Sequence, residues 1–141
     1  MKDFIINLMS VIVLPIPIII SVLFCNQFSG DAFFVVGCLL IIFGGSLWII
    51  GVRTLGKNFT PSLIPKGFET KGIYSKVRHP VYLGAALFYL GITLSARSIF
   101  GILAAFLLVW PLLAYSAREE ENQMIARFGN KYLEYKKKTR L

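Results

Sequence analysis

Residues 81–117 read VYLGAALFYLGITLSARSIFGILAAFLLVWPLLAYSA: two apolar runs, Val81 to Ser95 and Ile99 to Ala117, parted only by Ala96, Arg97 and Ser98. A helix needs about 20 residues, rising ~1.5 Å each, to cross a hydrocarbon layer of ~30 Å. The 19 residues of the second run suffice. The 15 of the first cover ~22 Å and complete a crossing only from a start deep in the interface. A three-residue joint makes neighbouring helices antiparallel, so the stretch predicts a tight helical hairpin in lipid.

Two further uncharged stretches lie upstream, Phe4 to Cys25 and Ala32 to Val52, with 22 and 21 residues. The first is too long for a signal-peptide core and no small-x-small cleavage site follows it, so it reads as a retained span. Together the four stretches take just over half of the 141 residues, which leaves room for one domain, residues 1–141, and no separate soluble unit. Composition agrees: 56% of the chain is apolar and only 16% charged, against about a quarter charged in soluble domains. The fold class that follows is all-α, an integral membrane bundle of about four transmembrane helices (4–25, 32–52, 81–95 and 99–117), with a loop at 53–80 and a tail at 118–141.

The net charge of +8 is distributed unevenly. One cation precedes the first span (Lys2), six lie between Arg53 and His79, seven follow Ala117, and Arg97 stands by itself in the hairpin turn. Placing both termini and the 53–80 loop in the cytoplasm puts 14 cations inside and one outside, as the positive-inside rule requires. The basic residues flank spans and form no nucleic-acid-reading motif, so anionic headgroups, rather than nucleic acid, are their partners. Cys25 and Cys38 read as small apolar fillers, and a single histidine with no ligand-spaced companions predicts no metal site.

Within this frame, Pro15 and Pro17 should bend the first helix, and Gly37, Gly44, Gly45, Ser46 and Gly51 should let another helix approach the second. Gly56, Pro61, Pro65, Gly67 and Gly72 exclude a continuous helix from 53 to 80. In the tail, Met124, Ile125, Phe128, Tyr132 and Tyr135 fall on one helical face, which predicts a C-terminal amphipathic helix interrupted at Gly129.

Polar groups at the ends of spans are costly and therefore point to function. At 72–84 the chain reads GIYSKVRHPVYLG. Pro80 suits the first turn of a helix, leaving unpaired amides behind it. With Arg78 and the positive end of the helix dipole, these suit a carboxylate or phosphate, or else Arg78 and His79 anchor the helix to headgroups. At 119–121 three glutamates follow the fourth span. They either form a solvated acidic face balanced by Arg118 and Lys136 to Lys138, or meet the Arg78 corner, because the hairpin brings the two helix ends together. The second arrangement makes a pocket with one anion-binding end and one end for a cation or diol.

These residues, Gly72-Ile73-Tyr74, Arg78-His79-Pro80-Val81-Tyr82-Leu83-Gly84, Glu120-Glu121, Met124, Phe128-Gly129, Tyr132 and Tyr135, resemble the isoprenylcysteine carboxyl methyltransferase family, which is related to phospholipid methyltransferases. The resemblance runs from about Leu55 to Thr139. It implies an integral membrane enzyme that takes S-adenosylmethionine from the cytoplasm and methylates a lipidic or prenylated acceptor held in the bilayer. It places Tyr74, Arg78, His79, Pro80, Tyr82, Gly84, Glu120 and Glu121 around the cofactor. Arg118 and Glu120 are the catalytic candidates, Arg118 as a holder of an acceptor carboxylate or as a partner for a glutamate. An amine acceptor would have to lose a proton, with His79 or a glutamate as base. Two other classes stay open: a non-catalytic membrane scaffold keeping the motif for packing, and an enzyme of related architecture with sterol-reductase-like chemistry.

Overall fold

The computed structural model describes the backbone of residues 2–58 and 67–139, and the side chains of these from Leu8 onward except Lys57. Pro61 and Pro65 of the loop lie outside the described residues. The first apolar stretch forms α1 (Lys2–Val13) and α2 (Pro15–Leu23), divided at Leu14. Pro15 and Pro17 have no N–H for the preceding turn, which is where the helix breaks. Then come α3 (Asp31–Leu55), short 3₁₀ turns at Gly56–Asn58 and Gly72–Ser75, and α4 (Pro80–Ser95). A single rod from Ile99 to Phe128 follows. It consists of α5 (Ile99–Ala104), one π turn (Ala105–Val109) and α6 (Trp110–Phe128). Gly129, at φ +55°, ends the rod, and α7 (Asn130–Lys138) closes the described chain.

Asp31–Leu55 and Ile99–Phe128 are long and apolar enough to cross a bilayer, while Leu8–Leu23 and Pro80–Ser95 are shorter apolar helices. Val11, Ile42 and Leu107 present 73%, 66% and 70% of their surface outward. Many other large apolar side chains on the same helices do likewise, a coat that a water-soluble monomer rarely carries.

The tail differs from expectation at its start. No separate amphipathic helix begins after Ala117, because α6 continues to Phe128. Residues 118–128 contain no glycine or proline and several strong helix formers, so nothing interrupts the rod before Gly129. The amphipathic face is thus shared by the end of α6 and by α7.

The closest helix pair is α3 with α4, joined along glycines. Gly37, Gly44 and Gly51 recur every seven residues on α3, as do Gly84 and Gly91 on α4. A Cβ at Gly44 would lie 2.7 Å from the Gly84 carbonyl oxygen and 2.7 Å from the Phe88 nitrogen. At Gly37 it would lie 2.5 Å from the Ser95 nitrogen, and at Gly51 2.9 Å from the Val81 side chain. The helices are therefore antiparallel with backbones nearly touching, in the manner of small-residue contacts in lipid. A strict seven-residue repeat keeps one face of each helix on its partner. This seam fixes the Pro80 end of α4 beside the end of α3.

At the opposite end, the turn after α2 is latched to the α4–α5 turn. Asn26 N–H donates to the Ala96 carbonyl (3.0 Å) and Gln27 N–H to that of Arg97 (3.0 Å), while an Arg97 guanidinium nitrogen donates to the Asn26 side-chain oxygen. Asn26 and Arg97 both hold positive φ, 57° and 53°, an unusual backbone conformation for residues other than glycine, maintained here by mutual contacts.

Candidate functional site

The polar residues singled out from the sequence meet where α4 begins and the polar turns of α6 end. Pro80 is the first residue of α4 and fully buried. Residues before proline avoid helical geometry, and His79 accordingly sits at φ −125° and ψ 57°, leading the chain into the helix from the side. Arg78 and His79 therefore face α6 rather than continuing along α4.

Glu121 is the centre of the cluster. Arg78 Nε donates to its Oε1 at 2.8 Å, His79 Nε2 lies 3.1 Å from the same oxygen, and Lys136 Nζ approaches Oε2 at 2.5 Å. Desolvation pushes this carboxyl upward, but the bonds from Lys136 and His79 and the charges of His79 and Arg78 outweigh it and hold Glu121 below its ordinary range. Glu120, one residue and roughly 100° away on the helix, has different surroundings. Its Oε2 is 4.0 Å from His79 Nδ1, and the Tyr82 hydroxyl donates to it. Burial pushes the Glu120 carboxyl up, against the lowering effects of His79 and Tyr82. Both glutamates lie past Ala117, beyond the apolar part of the rod. Two adjacent carboxylates are thus driven in opposite directions, a pattern found where their tasks differ.

Arg78 is more than an anion-binding corner. Its Nη1 donates to the carbonyls of Lys136 (3.2 Å) and Thr139 (2.9 Å), so the guanidinium caps the C-terminal end of α7 while gripping Glu121. A cation there also complements the negative end of the helix dipole. The α7 helix lies over the site through a second set of contacts. The Tyr135 hydroxyl donates to the Tyr74 carbonyl at 2.7 Å. Tyr132, Tyr135 and Met124 form a buried cluster, with Phe68 and Phe128 packed against it. Phe68 is in edge or tilted contact with Phe128, Tyr132 and Tyr135 at ring separations of 5.2 to 5.5 Å. Truncating it in Phe68→Ala should lower the thermal midpoint, at a cost of about 1–2 kcal/mol for a partly buried ring. An unchanged melting profile would show that the loop aromatic does not help hold α7.

The tyrosines remain protonated. Burial, helped by the Glu120 charge, raises Tyr74 far above the ordinary phenol value, and burial pushes Tyr135 up to about 12 against the opposing charge of Arg78. They are donors and aromatic walls.

The structure brings Arg78, His79, Glu120 and Glu121 into contact, seats Tyr82 beside His79 at a ring separation of 5.7 Å, and buries Tyr74 under Tyr135. Gly84 lies elsewhere, where a Cβ would be 2.6 Å from the Trp48 nitrogen, so its place is the α3–α4 seam. Arg118 is exposed on α6. The residues not singled out in advance as site residues are Lys136, Thr139, Tyr132, Tyr135 and Phe68. The tyrosines were visible as an apolar stripe, and Lys136 as one of three equivalent lysines. Nothing local distinguishes Phe68 or the Thr139 carbonyl.

Comparison with known proteins adds a family context. The family model described as phospholipid methyltransferase matches residues 32–131. The rat (Rattus norvegicus) protein-S-isoprenylcysteine O-methyltransferase is 33% identical over 108 residues, covering 72% of this chain and 38% of that protein. The proteins of the same name from human and from Saccharomyces cerevisiae are 34% identical over 110 residues and 31% over 109. The human match covers 74% of this chain and 38% of that protein, the yeast match 74% and 46%. The matched stretch thus spans less than half the length of each of these three relatives. No solved structure matches the chain.

Proposed function

Because the chain belongs to the phospholipid methyltransferase family, we propose that it is a membrane-embedded methyltransferase that uses S-adenosylmethionine to methylate the carboxylate of a prenylcysteine-like lipid. In this reading four helices cross the bilayer, both termini face the cytoplasm, and the site at the Pro80 end of α4 faces the cytoplasm with them. The observation that carries the reading is Glu120: a partly buried carboxylate with a tyrosine hydroxyl and a histidine beside it.

The donor set fits such a cofactor. Glu120 suits an ammonium or a ribose diol, and the faces of Tyr74 and Tyr82 suit a sulfonium through cation–π attraction. The cofactor, when bound, supplies a methyl group bonded to positive sulfur. A carboxylate acceptor would need no proton removed before it took that methyl group. The protein's work is therefore alignment and exclusion of water, for which the Phe68, Tyr132 and Tyr135 cluster forms the cover. Arg118, exposed on α6 two residues before Glu120, is the cation that would draw a carboxylate headgroup toward the site.

A second reading, methylation of a phospholipid or small amine, is favoured by the His79–Glu120 contact, because an amine must lose a proton and this pair can receive it. One experiment tests both. Purified protein is titrated calorimetrically with S-adenosylmethionine, then incubated with methyl-labelled cofactor and host lipid. Saturable heat and label released by base as methanol are expected. Base-stable label selects the amine reading, and no saturable heat refutes both.

A further inference from the structure

The two glutamates differ in how much of their binding capacity is already taken. Glu121 already has three nitrogen partners, Arg78 and His79 on one oxygen and Lys136 on the other. Lys136 touches this network twice: its ammonium meets Glu121, and its own carbonyl accepts from Arg78 Nη1 at 3.2 Å. Arg78, Glu121 and Lys136 therefore close a ring that runs through the backbone of α7. Opening any link removes one of the ties that hold the end of that helix over the start of α4. Glu120 stands outside the ring, with a tyrosine hydroxyl and a more distant histidine nitrogen.

We infer that Lys136 is a positioning residue: by bridging Glu121 it holds α7 down over the start of α4, which leaves Glu120 as the carboxylate that meets the ammonium or ribose hydroxyls of S-adenosylmethionine. This rests on the function proposed above. The reason lies in capacity. A carboxylate already serving three nitrogen partners has little left to give a ligand's ammonium, and displacing one of them would loosen the cover that excludes water. The Lys136 side chain is 38% exposed, so a longer or forked cation has room there, whereas an apolar one leaves an oxygen of Glu121 without its donor.

The test pairs cofactor titration and steady-state kinetics with hydrogen exchange of the α7 amides. In Lys136→Met, α7 should exchange at least tenfold faster, and cofactor affinity should fall three- to tenfold. The KM for cofactor should rise in parallel while kcat stays within twofold. Lys136→Arg should return all three readings to within twofold of the native protein. Combining Lys136→Met with Glu121→Gln should be no worse than the more severe single change, since both open the same ring. Glu120→Gln should lower affinity thirtyfold or more with α7 exchange unaltered. Native affinity in Lys136→Met, failure of Lys136→Arg to restore it, or faster α7 exchange in Glu120→Gln would each overturn the assignment while leaving the methyltransferase reading intact. A native protein that binds no cofactor would instead refute that reading, and unchanged α7 exchange in Lys136→Met would then also dismiss the positioning role.

Discussion

Arg78→Ala is expected to release α7 from the rest of the protein without unfolding the apolar helices. The substitution removes a charge-assisted bond to Glu121 and two bonds to the carbonyls of Lys136 and Thr139. Each bond involving a charged group contributes about 1.5–3 kcal/mol when buried. The Glu121 side chain is only 13% exposed, so loss of its partner also leaves desolvated charge behind, the expensive outcome for a buried pair. His79 and Lys136 still face that carboxylate, which moderates the penalty to about 3 kcal/mol, a roughly hundredfold fall in the docked population. Arg78→Lys should recover little, because a single ammonium cannot span a carboxylate and two carbonyls as a planar fork does. The measurements are proteolysis in detergent, which should cut between Gly129 and Thr139, and amide exchange across α7. Lys137→Ala, an exposed neighbour, is the control and should leave both unchanged. Native protection of α7 in Arg78→Ala would show that the aromatic cluster, with the Tyr135–Tyr74 and Lys136–Glu121 bonds, holds the helix without Arg78.

Two adjacent glycines on α3 should respond in opposite directions to the same added methyl group. In Gly44→Ala the new carbon would come within 2.7 Å of two α4 backbone atoms. Neither can rotate away, so the helices must separate along the whole seam. Overpacking of this kind costs about 1–3 kcal/mol where side chains can adjust, and the upper end or beyond applies where they cannot. In Gly45→Ala the same carbon would rest 3.6 Å from the edge of the Phe88 ring, an ordinary contact. That change removes a residue poor in helix propensity and should be neutral or stabilising by up to about 1 kcal/mol. Thermal unfolding in detergent followed by helix signal checks this: a fall of many degrees for Gly44→Ala and none for Gly45→Ala. Equal midpoints would mean that the seam is looser than the backbone geometry requires.

Much of this was legible in the linear chain, and the reasons for the rest are specific. Uncharged length located the apolar helices, Pro80 marked the start of α4, Ala96 to Ser98 gave the turn, and Gly129 gave the break, because each is decided by a residue and its immediate neighbours. The neighbourhood of Arg78, His79, Glu120 and Glu121 followed from the hairpin. The choice of partners did not. Arg78 reaches carbonyls 58 and 61 residues away in sequence, and a carbonyl has no letter in a sequence. That α4 lies most closely along α3, rather than along the rod it is turned toward, depends on two seven-residue glycine series matching in register, and either series alone shows only that some helix comes near. The uninterrupted course of α6 through residues 118–128 was obscured by a change of polarity, which marks where lipid ends and not where a helix does.

The π turn at Ala105–Val109 inserts one residue into an otherwise regular rod. Everything beyond it is turned by one step of the helical wheel relative to Ile99–Ala104, about 100°. The direction in which Glu120 and Glu121 point is therefore set by an irregularity some 11 residues, about 16 Å, above them, at a depth that has no part in the chemistry. Lineages could re-aim the acidic edge by gaining or losing a single residue in the greasy middle of the rod, leaving every group at the polar end unaltered in identity and changed only in bearing.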